Sequence, residues 1–310
     1  MTDSVVAEHD EWATLPDLFA DLGVPPSEAP SVARRDIEVS NGQKVSGIFW
    51  GTGDPEIVFL HGGGQNAHTW DVVAVTLGRP AVALDLPGHG HSDWREDNDY
   101  SPFQNAEAIS SAFEVVAPAG AAVVGMSLGG LTTIRLAAKR PDLVQRALIV
   151  DVTPGVLTNT AKMTTEDRGT TALTAGSEFF PSLDKMVEIT AQASPGRTVE
   201  AVRRGVLNNA RQLPDGRWRW RYDIAGMQAG GMRARDPKDW NPLWEDLESL
   251  NIPVTLVRGG DSKFVSDKDV EEFLRRRPGA RTEVVPGAGH AVQTAQPAKL
   301  AALIESFLQA

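Results

Sequence analysis

Short apolar runs recur along the chain, with helix-like patterns between them. IVFL (57–60), AVALDL (81–86), AAVVG (121–125), ALIVDV (147–152), VTLVRG (254–259) and TEVVPG (282–287) are rich in Val, Ile and Leu and lack polar alternation. That is the form of strands buried on both faces of a parallel sheet. Apolar residues fall at helical spacing in NAEAISSAFEVV (105–116), LTTIRLAAKRP (131–141), DVEEFLRRR (269–277) and PAKLAALIESFL (297–308). The alternation predicts an α/β fold, a mostly parallel central sheet flanked by helices. Two strand-like stretches around Asn41-Gly42 predict a hairpin, so the sheet should begin antiparallel.

Residues 153–250 break this rhythm with Gly/Pro interruptions, mostly helical or irregular patterns and no convincing buried strand. An insertion of that length between two sheet strands predicts a lid. The expected division is a core of 1–152 and 251–310, with 1–32 as an N-terminal extension carrying one helix near WATLPDLFADLG, and an inserted helical cap at 153–250. Within the cap, Phe179, Phe180, Met186, Trp218, Trp220, Tyr222, Met227 and Met232 offer apolar surface. Any one of them is first a packing residue, but Trp218, Trp220, Tyr222, Phe179 and Met186 are candidates to line an apolar substrate cleft.

Composition narrows the classes of partner. The 310 residues, 41% of them hydrophobic, suffice for a sizeable core. A formal charge of -11 repels nucleic acid and anionic membranes. With no cysteine, a disulfide framework, a cysteine nucleophile and thiolate metal sites are excluded. MTDSVVAEHDEW is acidic where a signal peptide is basic and then apolar, and no apolar run approaches a membrane span of about 20 residues. A cytoplasmic protein is expected.

VVGMSLGG (123–130) sets Gly125, Ser127 and Gly129 in a G-x-S-x-G pattern directly after a predicted strand and before a predicted helix. In that context the serine sits on a strained turn, with its Oγ held above the sheet edge as a nucleophile. The free backbone N–H of Leu128 at the helix start can stabilise developing negative charge. FLHGGGQNAHTW (59–70) follows an earlier strand and has the form of a loop supplying a second oxyanion donor, from Gly63 first and Gly64 next. It lacks the register of a nucleotide-binding loop.

Together with LDLPGHGHS (84–92) and VPGAGHAVQTAQP (285–297), these segments make nearly the whole chain resemble the α/β-hydrolase superfamily, and most of all its actinobacterial ester hydrolases. The resemblance implies Ser127 as nucleophile, His290 as base, and a mobile helical cap between the sixth and seventh strands.

Six histidines are available, at 9, 61, 68, 89, 91 and 290. His290 follows the last strand in a loop that can reach the nucleophile and act as its general base. His61 and His68 are read as shaping the oxyanion loop. PGHGHSD spells H-x-H-x-D through His89 and His91, but Trp94 stands where that metal signature continues with histidine. No metal or other cofactor is expected. The acid that orients His290 is the open choice. The superfamily's usual position after the seventh strand is held by Ser262, with Asp261 one residue short, and a one-residue slip can turn a carboxylate away. Asp151, ending the sixth strand, is favoured over Asp261, with Asp267 or Glu271 behind them. The expected activity is hydrolysis of a small-molecule carboxylic ester or lactone through an acyl-enzyme. Carbon–carbon bond hydrolysis, cofactor-free haloperoxidase-like chemistry and a non-turnover ligand receptor use the same frame.

Overall fold

In the computed structural model, residues 9–40, 42–231 and 237–309 are described. Eight strands form one sheet: β1 (Val32–Glu38), β2 (Lys44–Trp50), β3 (Ile57–Leu60), β4 (Ala81–Leu84), β5 (Ala121–Met126), β6 (Val144–Val150), and two later ones separated from these by the insertion. Three short strands lie inside the insertion, β7 (Phe179–Phe180), β8 (Ala210–Gln212) and β9 (Trp218–Trp220), and the chain then returns through β10 (Val254–Gly259) and β11 (Arg281–Val285). The large sheet has the order β1-β2-β4-β3-β5-β6-β10-β11. β2 pairs antiparallel with both β1 and β4, and the other pairings are parallel. Asn41, the first residue of the expected hairpin turn, and Met232 lie outside the described residues.

The unalternating apolar runs are explained by cover on both faces. Along β3, Val58 and Leu60 enter one core with residues of helices Pro102–Val116 and Leu128–Lys139. Ile57 and Phe59 enter the opposite core with residues of helices Asp71–Leu77 and Pro297–Gln309. All four side chains are fully buried, each contributing about 1.5–3 kcal/mol relative to exposure. Leu15 and Leu18 of the N-terminal helix Leu15–Asp21 join the second core beside Trp50.

The insertion differs from expectation in one respect. β7, β9 and β8 form a small antiparallel sheet there, of two or three residues per strand, too short to show any alternation in sequence. Helices Leu183–Gln192 and Val199–Asn209 pack with it around Phe180, Met186, Val202, Val206 and Trp220. Tyr100, from the large-sheet part of the chain, is buried in that same cluster. Its hydroxyl donates to Asp223 Oδ2 at 2.7 Å. Among the described residues no helix is long and apolar enough to cross a membrane.

Candidate active site

The turn after β5 carries Ser127 at φ 51°, ψ −117°, a conformation rare for a residue with a side chain. Its N–H donates to Val150 O at 3.0 Å, tying it to the end of β6. The flanking glycines follow from crowding. A Cβ on Gly125 would lie 2.4 Å from Gly129 O, and one on Gly129 would lie 2.3 Å from Leu60 O. Such strain, of order 1–3 kcal/mol, persists because strand, helix and neighbouring backbone all hold it.

Ser127 Oγ stands 3.1 Å from His290 Nε2, and His290 Nδ1 stands 2.7 Å from Asp151 Oδ2. Asp151 lies just past β6 at φ 53° and is fully buried. Its Oδ1 accepts the Gly259 N–H at 2.8 Å, and its Oδ2 also accepts the Ser262 hydroxyl at 2.5 Å. With both oxygens acting as acceptors, the carboxylate orients the Nδ1–H tautomer and leaves Nε2 free to accept from Ser127. The buried hydroxyl of Thr153, two residues on, has no partner among the described residues.

Asp261 is exposed and its backbone N–H donates to Ala288 O. Asp267 pairs with Arg258, and Glu271 is exposed. The structure therefore brings Ser127, His290 and Asp151 together and leaves the other carboxylates outside. Two partners of this trio have no motif in the sequence. Ser262, at the position where the superfamily resemblance expected a carboxylate, donates to Asp151 at the end of the neighbouring strand; its place in the pattern was the available signal. Phe264, buried two residues on, lies flat on the His290 ring, with centroids 3.6 Å apart and planes 12° apart.

In the loop after β3, the Gly64 N–H donates to His89 Nε2 at 3.1 Å, while Gly64 O accepts Asn209 Nδ2 at 2.8 Å. Gly64 thus has no amide to offer a substrate in this arrangement. The amides of Gly63 and Leu128 have no acceptor among the described residues. His89 Nδ1 donates to Pro87 O, so the ring is neutral, and burial and then nearby His61 push it down to about 3. His61 is also lowered by burial; its Nε2 accepts from the Leu86 N–H and its Nδ1 donates to Gly62 O. Both histidines work as neutral braces, and His89 spends both nitrogens doing so. Among the described residues no three His, Asp or Glu side chains gather as a metal cage.

His68 braces the far end of the loop differently. Burial opposes its charge, but Asp71 and Glu11 outweigh this and raise it to about 9. Glu11 also holds Arg34, and Arg34 reaches buried Asp85 at 2.7 Å. Asp85 in turn accepts the N–H groups of Ala67 and His91.

The cap candidates separate by position. Met186 and Trp220 are buried in the insertion's own core, which takes them out of a cleft lining in this conformation. Trp218 is partly buried against that core, and Phe179 is 37% exposed with Arg217 4.4 Å over its ring. Tyr222 stands at the loop after β3, its Cζ 3.7 Å from where a Gly64 Cβ would be.

Residues 57–303 match the alpha/beta hydrolase family. The chain is 46% identical over 309 residues to the esterase Rv0045c of Mycobacterium tuberculosis, covering 99% of both. A crystal structure of that esterase superposes with a TM-score of 0.84 at 43% identity, over 98% of this chain and 100% of that one. The 2-(acetamidomethylene)succinate hydrolase of Mesorhizobium japonicum is 30% identical over 83% of this chain and 88% of its own. A crystal structure of E-2-(acetamidomethylene)succinate hydrolase gives a TM-score of 0.76 at 26% identity, covering 90% of this chain and 100% of that one.

Proposed function

The chain belongs to the alpha/beta hydrolase family and is a carboxylic ester hydrolase, and from that premise we propose that it cleaves small-molecule esters or lactones through an acyl-enzyme on Ser127. His290 Nε2 takes the Ser127 proton as Oγ attacks the carbonyl carbon. Asp151 holds the opposite Nδ1–H and stabilises the imidazolium as it forms. The negative charge that develops on the carbonyl oxygen is received by the N–H groups of Gly63 and Leu128. His290 passes its proton to the leaving alcohol, then draws one from the water that attacks the acyl-enzyme and returns it to Ser127 Oγ as the carboxylic acid leaves.

The observation that carries this reading is the unbroken series Ser127 Oγ, His290 Nε2, His290 Nδ1, Asp151 Oδ2, at 3.1 and 2.7 Å. The two unengaged amides beside it support the oxyanion assignment, each such donor being worth about 10²–10³ in kcat. No cofactor enters any step. The reading is tested by turnover of p-nitrophenyl esters and lactones of graded acyl size. Wild type should hydrolyse part of that series, and Ser127→Ala should hydrolyse none above background; full turnover by Ser127→Ala would defeat it. The acyl size preferred in the same screen identifies the substrate class.

A further inference from the structure

We propose that Gln65, held in one orientation by Gln293, is a positioning residue of the oxyanion hole, selecting Gly63 as the loop's donor. This rests on the reading of Gly63 and Leu128 as the oxyanion donors and adds to it the side chains that make Gly63 available.

Three consecutive glycines offer three amides, and two are already used. The Gly62 N–H donates to Gln65 Oε1 at 3.0 Å, and the Gly64 N–H donates to His89 Nε2 at 3.1 Å. Gly63 is left between two anchored neighbours. A glycine-rich loop has few internal restraints, so the side chains that hold its flanks decide where the middle amide points.

Gln65 can hold Gly62 only with its carboxamide oxygen, never with its nitrogen, because the partner is a donor. Gln293 enforces that choice. It is 1% exposed, lies three residues after His290 in the short helix Val292–Ala295, and its Nε2 donates to Gln65 Oε1 at 3.3 Å and to Thr69 Oγ1 at 3.2 Å. Its own Oε1 is buried with no partner among the described residues, so the side chain is placed for what it donates.

Proximity makes the orientation matter to the chemistry. A Cβ on Gly62 would stand 3.2 Å from Ser127 Cβ and 3.3 Å from Gln65 Oε1, so the nucleophile's side chain and this carboxamide oxygen both face the same point of the loop. An acceptor oxygen near a developing oxyanion repels it unless its lone pairs are engaged. Gly62 N–H and Gln293 Nε2 engage both.

The experiment compares Gln65→Met, Gln293→Met and the double variant with wild type and Ser127→Ala, on one p-nitrophenyl ester. Methionine nearly matches glutamine in shape, so folding is retained while the hydrogen bonds are deleted, and the Tm of each variant verifies this. Each single change should lower kcat about 10- to 100-fold, part or all of the loss from one oxyanion donor, with KM within about threefold. The double variant should be no slower than the slower single, because both residues act through one chain of bonds. Wild-type kcat in the single variants, with only Tm reduced, would overturn the proposal, as would losses that multiply in the double. Those results alongside an inactive Ser127→Ala would remove the positioning role alone, whereas an active Ser127→Ala would remove the acyl-enzyme reading itself.

Discussion

At the residue scale, the position of one carboxylate depends on a single backbone angle. Asp151 takes φ 53° at the end of β6, a region that aspartate tolerates better than most residues. The turn leaves its two oxygens facing Gly259, Ser262 and His290. Asp151→Asn should therefore lower kcat by up to about 10⁴ through the wrong His290 tautomer, with Asp261→Asn near wild type, both read from steady-state ester hydrolysis. Ser262→Ala removes a bond to a charged acceptor and should lower kcat/KM about tenfold, with Tm changed by a few degrees at most. The sequence pattern already marked Ser262 as the occupant of the usual acid position. It did not reveal that the serine still serves the acid, because a hydrogen bond between two strands' ends has no signature along either strand.

At the scale of elements, hydrophobic periodicity was most informative where both faces of an element are covered. The β3, β5 and β10 runs appear as strands within a residue of their apolar limits, because burial on two sides demands apolar residues throughout. The same logic missed β7, β8 and β9, whose two or three residues each are fixed by pairing with one another. Helix Leu15–Asp21 shows what an element outside the sheet contributes. Leu18 is 4% exposed beside Trp50 in the second core, so Leu18→Ala should destabilise the fold by about 2–4 kcal/mol. Urea unfolding should register that loss, and kcat measured at low temperature should stay at wild type, since the helix touches none of the reacting groups.

At the scale of the whole molecule, one buried ionic network joins parts far apart in sequence. Glu11 from the N-terminal segment, Arg34 from β1, His68 after the glycine loop, Asp71 at the start of helix Asp71–Leu77, and Asp85 after β4 are linked by bonds of 2.7–3.0 Å. Burial alone would raise Glu11, but hydrogen bonds from His68 and Arg34 hold it at about 2. Its contribution to stability is present above its unfolded value near 4.5 and is lost as pH falls towards 2. His68, raised from 6.5 to about 9, contributes fully below 6.5 and loses that contribution as pH rises through 9. Tm measured across pH should fall on both sides of a window near 4.5–6.5. His68→Gln should flatten the alkaline decline and also lessen the acid one, because Glu11 then keeps Arg34 but loses the charged partner at His68; an unchanged alkaline slope would show that His68 is not its source.

The sequence by itself determined the elements whose chemistry is local. The strand and helix order, the elbow at Ser127, the glycine loop and the place of His290 all follow from residues within a few positions of one another. Tertiary structure decided what depends on which strands become neighbours. The β6–β10 register carries Asp151 to Gly259 and Ser262, and the loop after β4 carries His89 to Gly64. Phe264 reaches the His290 ring only when β10 and β11 lie side by side. A carboxylate or carboxamide finds its partner through space, and one residue of register is enough to turn it away.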